Sequence, residues 1–290
     1  MIRDLNSLTG PVLIFGGPYS NLQATEALLN EAARLQVPAG NIICTGDIIA
    51  YAGNPVETLE AIIQSDIHVV MGNCEESFGN EGDDCGCGFE EGSDCDVLSR
   101  QWYAHANATL TPWHRQWMRS LPRQMRFRTG DFHFAVIHGG VRDISRWVFK
   151  STPESVKRQE LVNLDGCSPA DGIIAGHCGL PFVDDLGDKL WLNPGVIGMP
   201  ANDGTTTTWF AVMEAGANGL VIEFHSLSYD HQAAAKSMTS LNLARAYSET
   251  LINGLWPNMD VLPEVERQQA GQPIKPETHT WRPRQLAAAE

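Results

Sequence analysis

No stretch of this chain approaches the roughly 18 to 20 consecutive apolar residues needed to span a bilayer, and the opening Met1-Ile-Arg-Asp-Leu-Asn-Ser-Leu lacks a basic-then-apolar leader. These absences argue against a helical membrane span and an export signal, so a soluble cytoplasmic protein is the expectation. Cations are scarce as well: 20 Lys and Arg stand against 35 Asp and Glu, for a net charge of −15. The segment 75–96 holds nine carboxylates and no Lys or Arg. That balance disfavours nucleic-acid backbone and anionic membrane as partners, because both are bound through cations that neutralise phosphate. The one basic stretch, with Arg115, Arg119, Arg123, Arg126 and Arg128, reads as a solvated or acid-pairing face, so no nucleic-acid groove is expected. Seven cysteines without an export signal point to reduced thiols, used for metal ligation or burial and not for disulfides.

What is present is 290 residues, 43% apolar, without a repeat or long biased tract, enough for one large α/β domain. Its expected extent is 1–256, with an acidic Cys/Gly-rich loop at 75–97 and a Pro-rich tail at 257–290, poorly ordered after Val265. Apolar runs at 11–15, 41–44 and 67–71 read as strands, alternating with amphipathic patterns at 22–35 and just after Pro55. Repeated strand-loop-helix units predict neighbouring parallel strands whose ends open on one edge. The Trp-rich segment 97–121 predicts two helices, followed by a hairpin at 125–128 and 132–137. Strands at 172–175, 189–192, 206–213 and 219–224 then suggest a second, mainly antiparallel sheet, with a helix near 153–164 and helical residues at 231–255.

Polar side chains recur where these short strands end. Asp47 follows Ile-Ile-Cys-Thr-Gly, Asn73 follows Met71-Gly72, His138 precedes Gly139-Gly140, and His177 follows Gly176. Each alone is commonplace: Gly-Asp after a strand is usually a turn with an Asx hydrogen bond, and a His beside Gly is usually structural. Together, one carboxylate, one amide and two imidazoles form a metal-ligand set, and mixed N and O donors suit Mn, Fe, Zn or Ni better than Ca or Mg.

Gly46-Asp47, Gly72-Asn73-Cys74-Glu75, His138-Gly139, Gly176-His177 and Asn193-Pro194-Gly195 together resemble the motifs of the calcineurin-like metallophosphoesterases, in their bacterial branch. The resemblance runs from about Pro11 to Met213 and includes Leu121-Pro122 and Leu180-Pro181. It implies an α/β fold, a four-layer α/β/β/α sandwich of two mixed sheets flanked by helices, with a dinuclear metal site at the strand ends. In that family an aspartate bridges the metals, and metal-activated water attacks phosphorus. The resemblance makes Asp47 the bridge and Asn73, His138 and His177 the other ligands of the second metal. It assigns catalytic roles to Asp47, His138 and Cys74, the last at the motif position where the family commonly has histidine.

The departures are selective. The family's first motif, Asp-x-His, reads Gly17-Pro18-Tyr19 here, and its closing Gly-His-x-His reads Gly176-His177-Cys178-Gly179. Three ligands of the first metal are missing, while the second set is complete. Three readings follow: hydrolysis with one conventional metal; a second site rebuilt by Cys85, Cys87 and Cys95, with Cys74 or Cys178, for a softer ion such as Zn or Fe; or a non-catalytic descendant that binds a metal or a phosphate-bearing ligand. The favoured reading is a phosphoesterase-type hydrolase. The acidic rim would repel polyphosphates unless metals or Arg142 and Arg146 neutralise it, so a small monoester or diester is the expected substrate. Homo-oligomerisation stays open.

Overall fold

The computed structural model describes residues 1–164 and 169–283. In chain order its strands are β1 (Ile2–Ser7), β2 (Val12–Phe15), β3 (Ile42–Cys44), β4 (His68–Val69), β5 (Gln124–Thr129), β6 (Phe132–Val136), β7 (Gly172–Ile174), β8 (Pro181–Asp185), β9 (Leu190–Pro194), β10 (Thr208–Gly216), β11 (Gly219–Leu227) and β12 (Thr278–Trp281). The helices are α1 (Leu22–Arg34), α2 (Pro55–Gln64), α3 (Asn73–Gly79), α4 (Asp94–Thr109), α5 (Pro112–Ser120), α6 (Glu154–Asn163), α7 (His231–Ser240), α8 (Arg245–Asn253) and α9 (Glu264–Arg267). Local chemistry sets several starts. The Asn21 side chain accepts the Ala24 N–H at 3.1 Å at the head of α1, Pro55 occupies the first turn of α2, and Ser93 accepts the Asp96 N–H at the head of α4.

One sheet has the order β12-β11-β10-β2-β3-β4 and the other β1-β5-β6-β7-β9-β8. β2, β3 and β4 are parallel, and so are β6, β7 and β9. Alternation along β2 shows how the layers are held. Val12 and Ile14 face the other sheet among Phe134, Val136, Ile174 and Leu192, while Leu13 and Phe15 face the helices among Leu28, Leu59 and Met238. A third cluster, with Phe149, Ile173 and Trp191, covers the far face of the second sheet. The result is two mixed sheets flanked by helices. Each sheet ends its parallel strands toward the other, and the Gly16 N–H bonds the Gly195 carbonyl at 3.0 Å across the junction.

Two expectations are corrected, and two edge strands were not anticipated. The second sheet is mixed, and the strands expected near 206–213 and 219–224 extend the first sheet, where β10 pairs β2 antiparallel. Residues 258–283 are not a loose appendage: β12 pairs β11, Trp281 is buried, and its Nε1 donates to Asp185 Oδ1 at 3.1 Å; the rest of the expected tail, 284–290, lies outside the described residues. The edge strands β1 and β8 had no clear period-2 signal, because an edge strand buries little and its sequence is weakly patterned.

Candidate metal centre

Gly46, at φ +95°, permits a close backbone approach beneath the site, since a Cβ there would lie 2.6 Å from the Gly72 nitrogen. That approach brings the turn after β3 against the start of α3, so Asp47 meets Asn73. The acidic stretch expected as a loop from residue 75 starts as helix, because Asn73–Gly79 form α3 with Gly72 as its N-cap. Asp47 and His177 both hold left-handed backbone angles, φ 59° and 60°, uncommon for side chains with a Cβ and typical of functional turns.

Around one point stand Asp47 Oδ2, 3.2 Å from His138 Nε2, with Asn73 Oδ1 and His177 Nδ1 each 3.0 Å from the same nitrogen. The ligand atoms of Asp47, His138 and His177 lie within 4.8 Å of one another, and all three residues are buried. His138 Nδ1 lies 2.6 Å from the Thr45 carbonyl, which can only accept, so Nδ1 carries a proton and Nε2 turns to the centre. Four lone-pair atoms facing each other repel unless a cation sits among them, either a proton on His138 or a metal ion. The donor set therefore fits a divalent metal.

The charge balance agrees. Burial opposes charge on His138, but the Asp47 charge beside it and the bonds its ring donates to Asp47 and the Thr45 carbonyl outweigh burial and raise its pKa. For Asp47, burial pushes upward and the His138 charge and hydrogen bond prevail, so its carboxyl lies below the usual range. His177 is pushed down to about 3 by burial and then by the His138 charge, which leaves it a neutral donor of a lone pair.

Surrounding groups hold these atoms. Asp47 Oδ1 accepts the Cys74 N–H at 3.1 Å. Asn73 Nδ2 donates to the Cys85 carbonyl at 2.9 Å, which turns Oδ1 inward. Asn193 donates to the Gly176 carbonyl at 2.7 Å and so steadies the His177 turn. Trp147 lies against His177, ring centroids 4.1 Å apart, while His177 Nε2 has no hydrogen-bond partner among the described residues. Glu75, quoted in the motif but given no role from sequence, is fully buried and accepts the backbone N–H groups of Asp47, Ile48 and Gly72 at 2.8, 2.8 and 2.9 Å. Burial, then the Asp47 charge, pushes its carboxyl up to about 7. Its position in the first turn of α3 was the signal that could have found it; the Thr45 carbonyl, a main-chain atom, left none.

Glu75→Ala is expected to cost about 3 kcal/mol or more, because buried donors left unpaired cost about 1 to 3 kcal/mol each and a cavity adds to that. Urea unfolding at neutral pH checks this. A loss under 1 kcal/mol would show that the three bonds do not hold the Asp47 turn.

The cysteine expectations change. The loop does fold back over the strand ends, where the Ser145 hydroxyl donates to the Gly86 carbonyl and Tyr103 to the Gly82 carbonyl. Cys85 and Cys87, however, are bonded to each other as a disulfide, so they are not the reduced thiols expected. Cys95 lies apart, 3.0 Å from Asn258 Oδ1. The three therefore do not form a thiolate cluster. Cys74 is buried beside Asn73, and burial followed by the Asp47 and Glu75 charges raises its thiol well above the ordinary value, so it is uncharged. Arg146 is engaged by Glu160 at 2.9 Å, and Glu160 also accepts the Val141 N–H, so this arginine braces the loop after His138.

The position left by the altered first motif is filled. A Cβ on Gly17 would lie 2.5 Å from Tyr19 Cζ and 2.8 Å from Val196 Cγ1, so the tip of the Tyr19 ring stands where a side chain at 17 would project.

Two mixed sheets between helices, with an aspartate and histidines gathered where both sets of parallel strands end, define a metallophosphoesterase fold. The chain belongs to the calcineurin-like phosphoesterase superfamily, whose domain model matches residues 19–217. A metallophosphoesterase from Sphaerobacter thermophilus aligns over 86% of this chain and 100% of its own, with TM-score 0.64 and 22% identity. A hypothetical protein from Pyrococcus horikoshii aligns over the same shares with TM-score 0.70 and 17% identity. An uncharacterized protein of Methanocaldococcus jannaschii is 23% identical over 258 residues, 84% of this chain and 98% of its own length. No helix among the described residues is long and apolar enough to cross a membrane.

Proposed function

We propose that this chain is a metal-dependent phosphoesterase that hydrolyses a small phosphomonoester or phosphodiester, using one divalent transition metal (Mn, Fe, Zn or Ni) held by Asp47, Asn73, His138 and His177. The observation that supports it is the convergence of four lone-pair atoms, of carboxylate, amide and two imidazoles, on one buried point, a donor set that one divalent metal can satisfy together. A metal there supplies Lewis-acid polarisation of phosphoryl oxygen and acidifies water. The chain's own residues supply the rest. Thr45 and Asn193 fix the two histidine turns, the Cys85 carbonyl orients the Asn73 amide, and the Cys74 N–H leaves only one Asp47 oxygen for the centre. Cys74 contributes an uncharged thiol beside these groups, unsuited to a nucleophile's role. A cytoplasmic location rests on the free thiols Cys44, Cys74, Cys95 and Cys178 and belongs to the same proposal.

The test pairs metal analysis of protein purified without chelator, with anomalous scattering, and hydrolysis of an aryl phosphodiester across Mn, Fe, Zn, Ni and Mg. The expected result is one transition metal per chain and turnover that depends on it. The filled first-metal position favours a second reading, a binding protein that keeps one metal without chemistry. Metal bound with no turnover under any of these ions would select it.

A further inference from the structure

A cavity of about 70 Å³ borders His177 and is walled in part by Tyr19, whose N–H bonds the Asp47 carbonyl at 3.2 Å, and its lining holds no Lys, Arg, Asp or Glu. Its walls are mainly Tyr19, Tyr51, Trp147, Tyr247, Trp256 and Met199. They are braced before any ligand arrives. Tyr51 meets Tyr19 edge-on at 4.8 Å between centroids and Tyr247 at the same separation, and Trp256 Nε1 donates to the Pro200 carbonyl at 2.7 Å. The acidic loop contributes an apolar wall here, Phe89, ring centroids 6.3 Å from Trp147. A phosphoryl group would not be stabilised among these walls, because a charge without a partner is costly to bury. An uncharged apolar group would be, since contact with aromatic faces removes its surface from water.

We infer that this cavity is a specificity subsite that takes the organic group of the ester while its phosphoryl group lies at the Asp47–His138–His177 centre. The inference rests on the phosphoesterase reading. Size limits the occupant: cavities near 150 Å³ enclose benzene, so about 70 Å³ admits a short branched alkyl group, or one six-membered ring entering by an edge. The cavity's polar groups are few, chiefly the Asn258 amide, whose Nδ2 has no hydrogen-bond partner among the described residues, and the tyrosine hydroxyls, so a polyhydroxylated sugar or glycerol would leave most of its hydroxyls unpaired here, and a nucleoside is too large to be enclosed. The class is thus a phosphoester of a compact apolar alcohol.

The test uses binding, which does not require turnover. Calorimetry on the Mn-loaded full chain compares benzylphosphonate, 2,3-dihydroxypropylphosphonate and inorganic phosphate. Benzylphosphonate is expected to bind about tenfold tighter than the dihydroxypropyl compound, from the apolar area it buries. Val261→Trp, which fills the cavity from its rim, should erase that preference and leave phosphate binding unchanged. Met199→Ala should widen the cavity and improve naphthylmethylphosphonate about threefold or more relative to benzylphosphonate. Equal affinity of the first two compounds, a preference that survives Val261→Trp, or no phosphonate binding to the loaded protein each overturns the subsite. A preference for benzylphosphonate in a protein that hydrolyses neither benzyl phosphate nor glycerol phosphate would uphold the subsite and overturn the hydrolase reading. Hydrolysis of both esters with equal kcat/KM would do the reverse.

Discussion

His138→Ala is expected to abolish metal-dependent turnover and weaken metal binding by about a hundredfold or more, since loss of residues that merely orient a ligand already costs about 10- to 100-fold. His138 Nε2 is the atom that Asp47, Asn73 and His177 all approach, so its loss removes the centre of the set and not an edge. The acidity of this group adds a signed test. Its pKa is raised in the fold, against an opposing effect of burial, by Asp47 and Thr45. A raised imidazole pKa means that stability from this group is full below the ordinary value of about 6.5 and is lost as pH rises through the folded value. A metal ion must displace that proton, so the increase in melting temperature on adding Mn should be larger at pH 8 than at pH 6. In His138→Ala the increase should be small at both. Calorimetric titration and melting curves read both effects. Full metal affinity in the variant would remove the ground for placing the metal here.

Rebuilding the family's first motif is expected to harm the protein. Gly17→Asp, Tyr19→His and Gly179→His together would supply the three absent ligands, and from sequence the two glycines leave room for them. The structure does not. Gly17 has φ +39° and an added Cβ there would lie 2.8 Å from Val196 Cγ1, while at Gly179, where a Cβ would be in ordinary contact with Trp256, the φ of +75° alone opposes a side chain. Left-handed backbone strain costs about 1 to 3 kcal/mol per residue. Removing the Tyr19 ring, which packs against Tyr51 at 4.8 Å, leaves a void that costs about as much again. The sum for two strained residues and one void, roughly 3 to 9 kcal/mol from these two principles, is comparable to the whole stability of a domain. The triple variant should melt far below the unmodified protein and bind no additional metal. Two metals per chain with an unchanged melting temperature would mean that the position is adaptable and only idle.

Much of the architecture could be read from periodicity. The alternation at Val12, Leu13, Ile14 and Phe15, the helical pattern from Leu22 and the hairpin around Gly130 each bury enough apolar surface to leave a regular imprint. Elements that bury little, such as β1 with its exposed Arg3, Asp4 and Asn6, left almost none. The partnership of β10 with β2 was also invisible, because both sheets recruit similar apolar strands and only their closure around a shared core decides which edge each one joins.

At the site the sequence by itself determined the donor types and their recurrence at strand ends, because metal chemistry restricts those positions to a few side chains. Only the tertiary structure decided how they work together. The Glu75 carboxylate holding the Asp47 turn and the Thr45 carbonyl selecting the His138 tautomer depend on contacts between residues distant in the chain or on main-chain atoms, while the Cys85–Cys87 bond and the Tyr19 ring over Gly17 join near neighbours whose turns are shaped by the surrounding fold. Such contacts have no spacing rule. Pairing through space is set by how the two sheets pack, and that packing sums many small apolar burials, none of which specifies a particular contact alone.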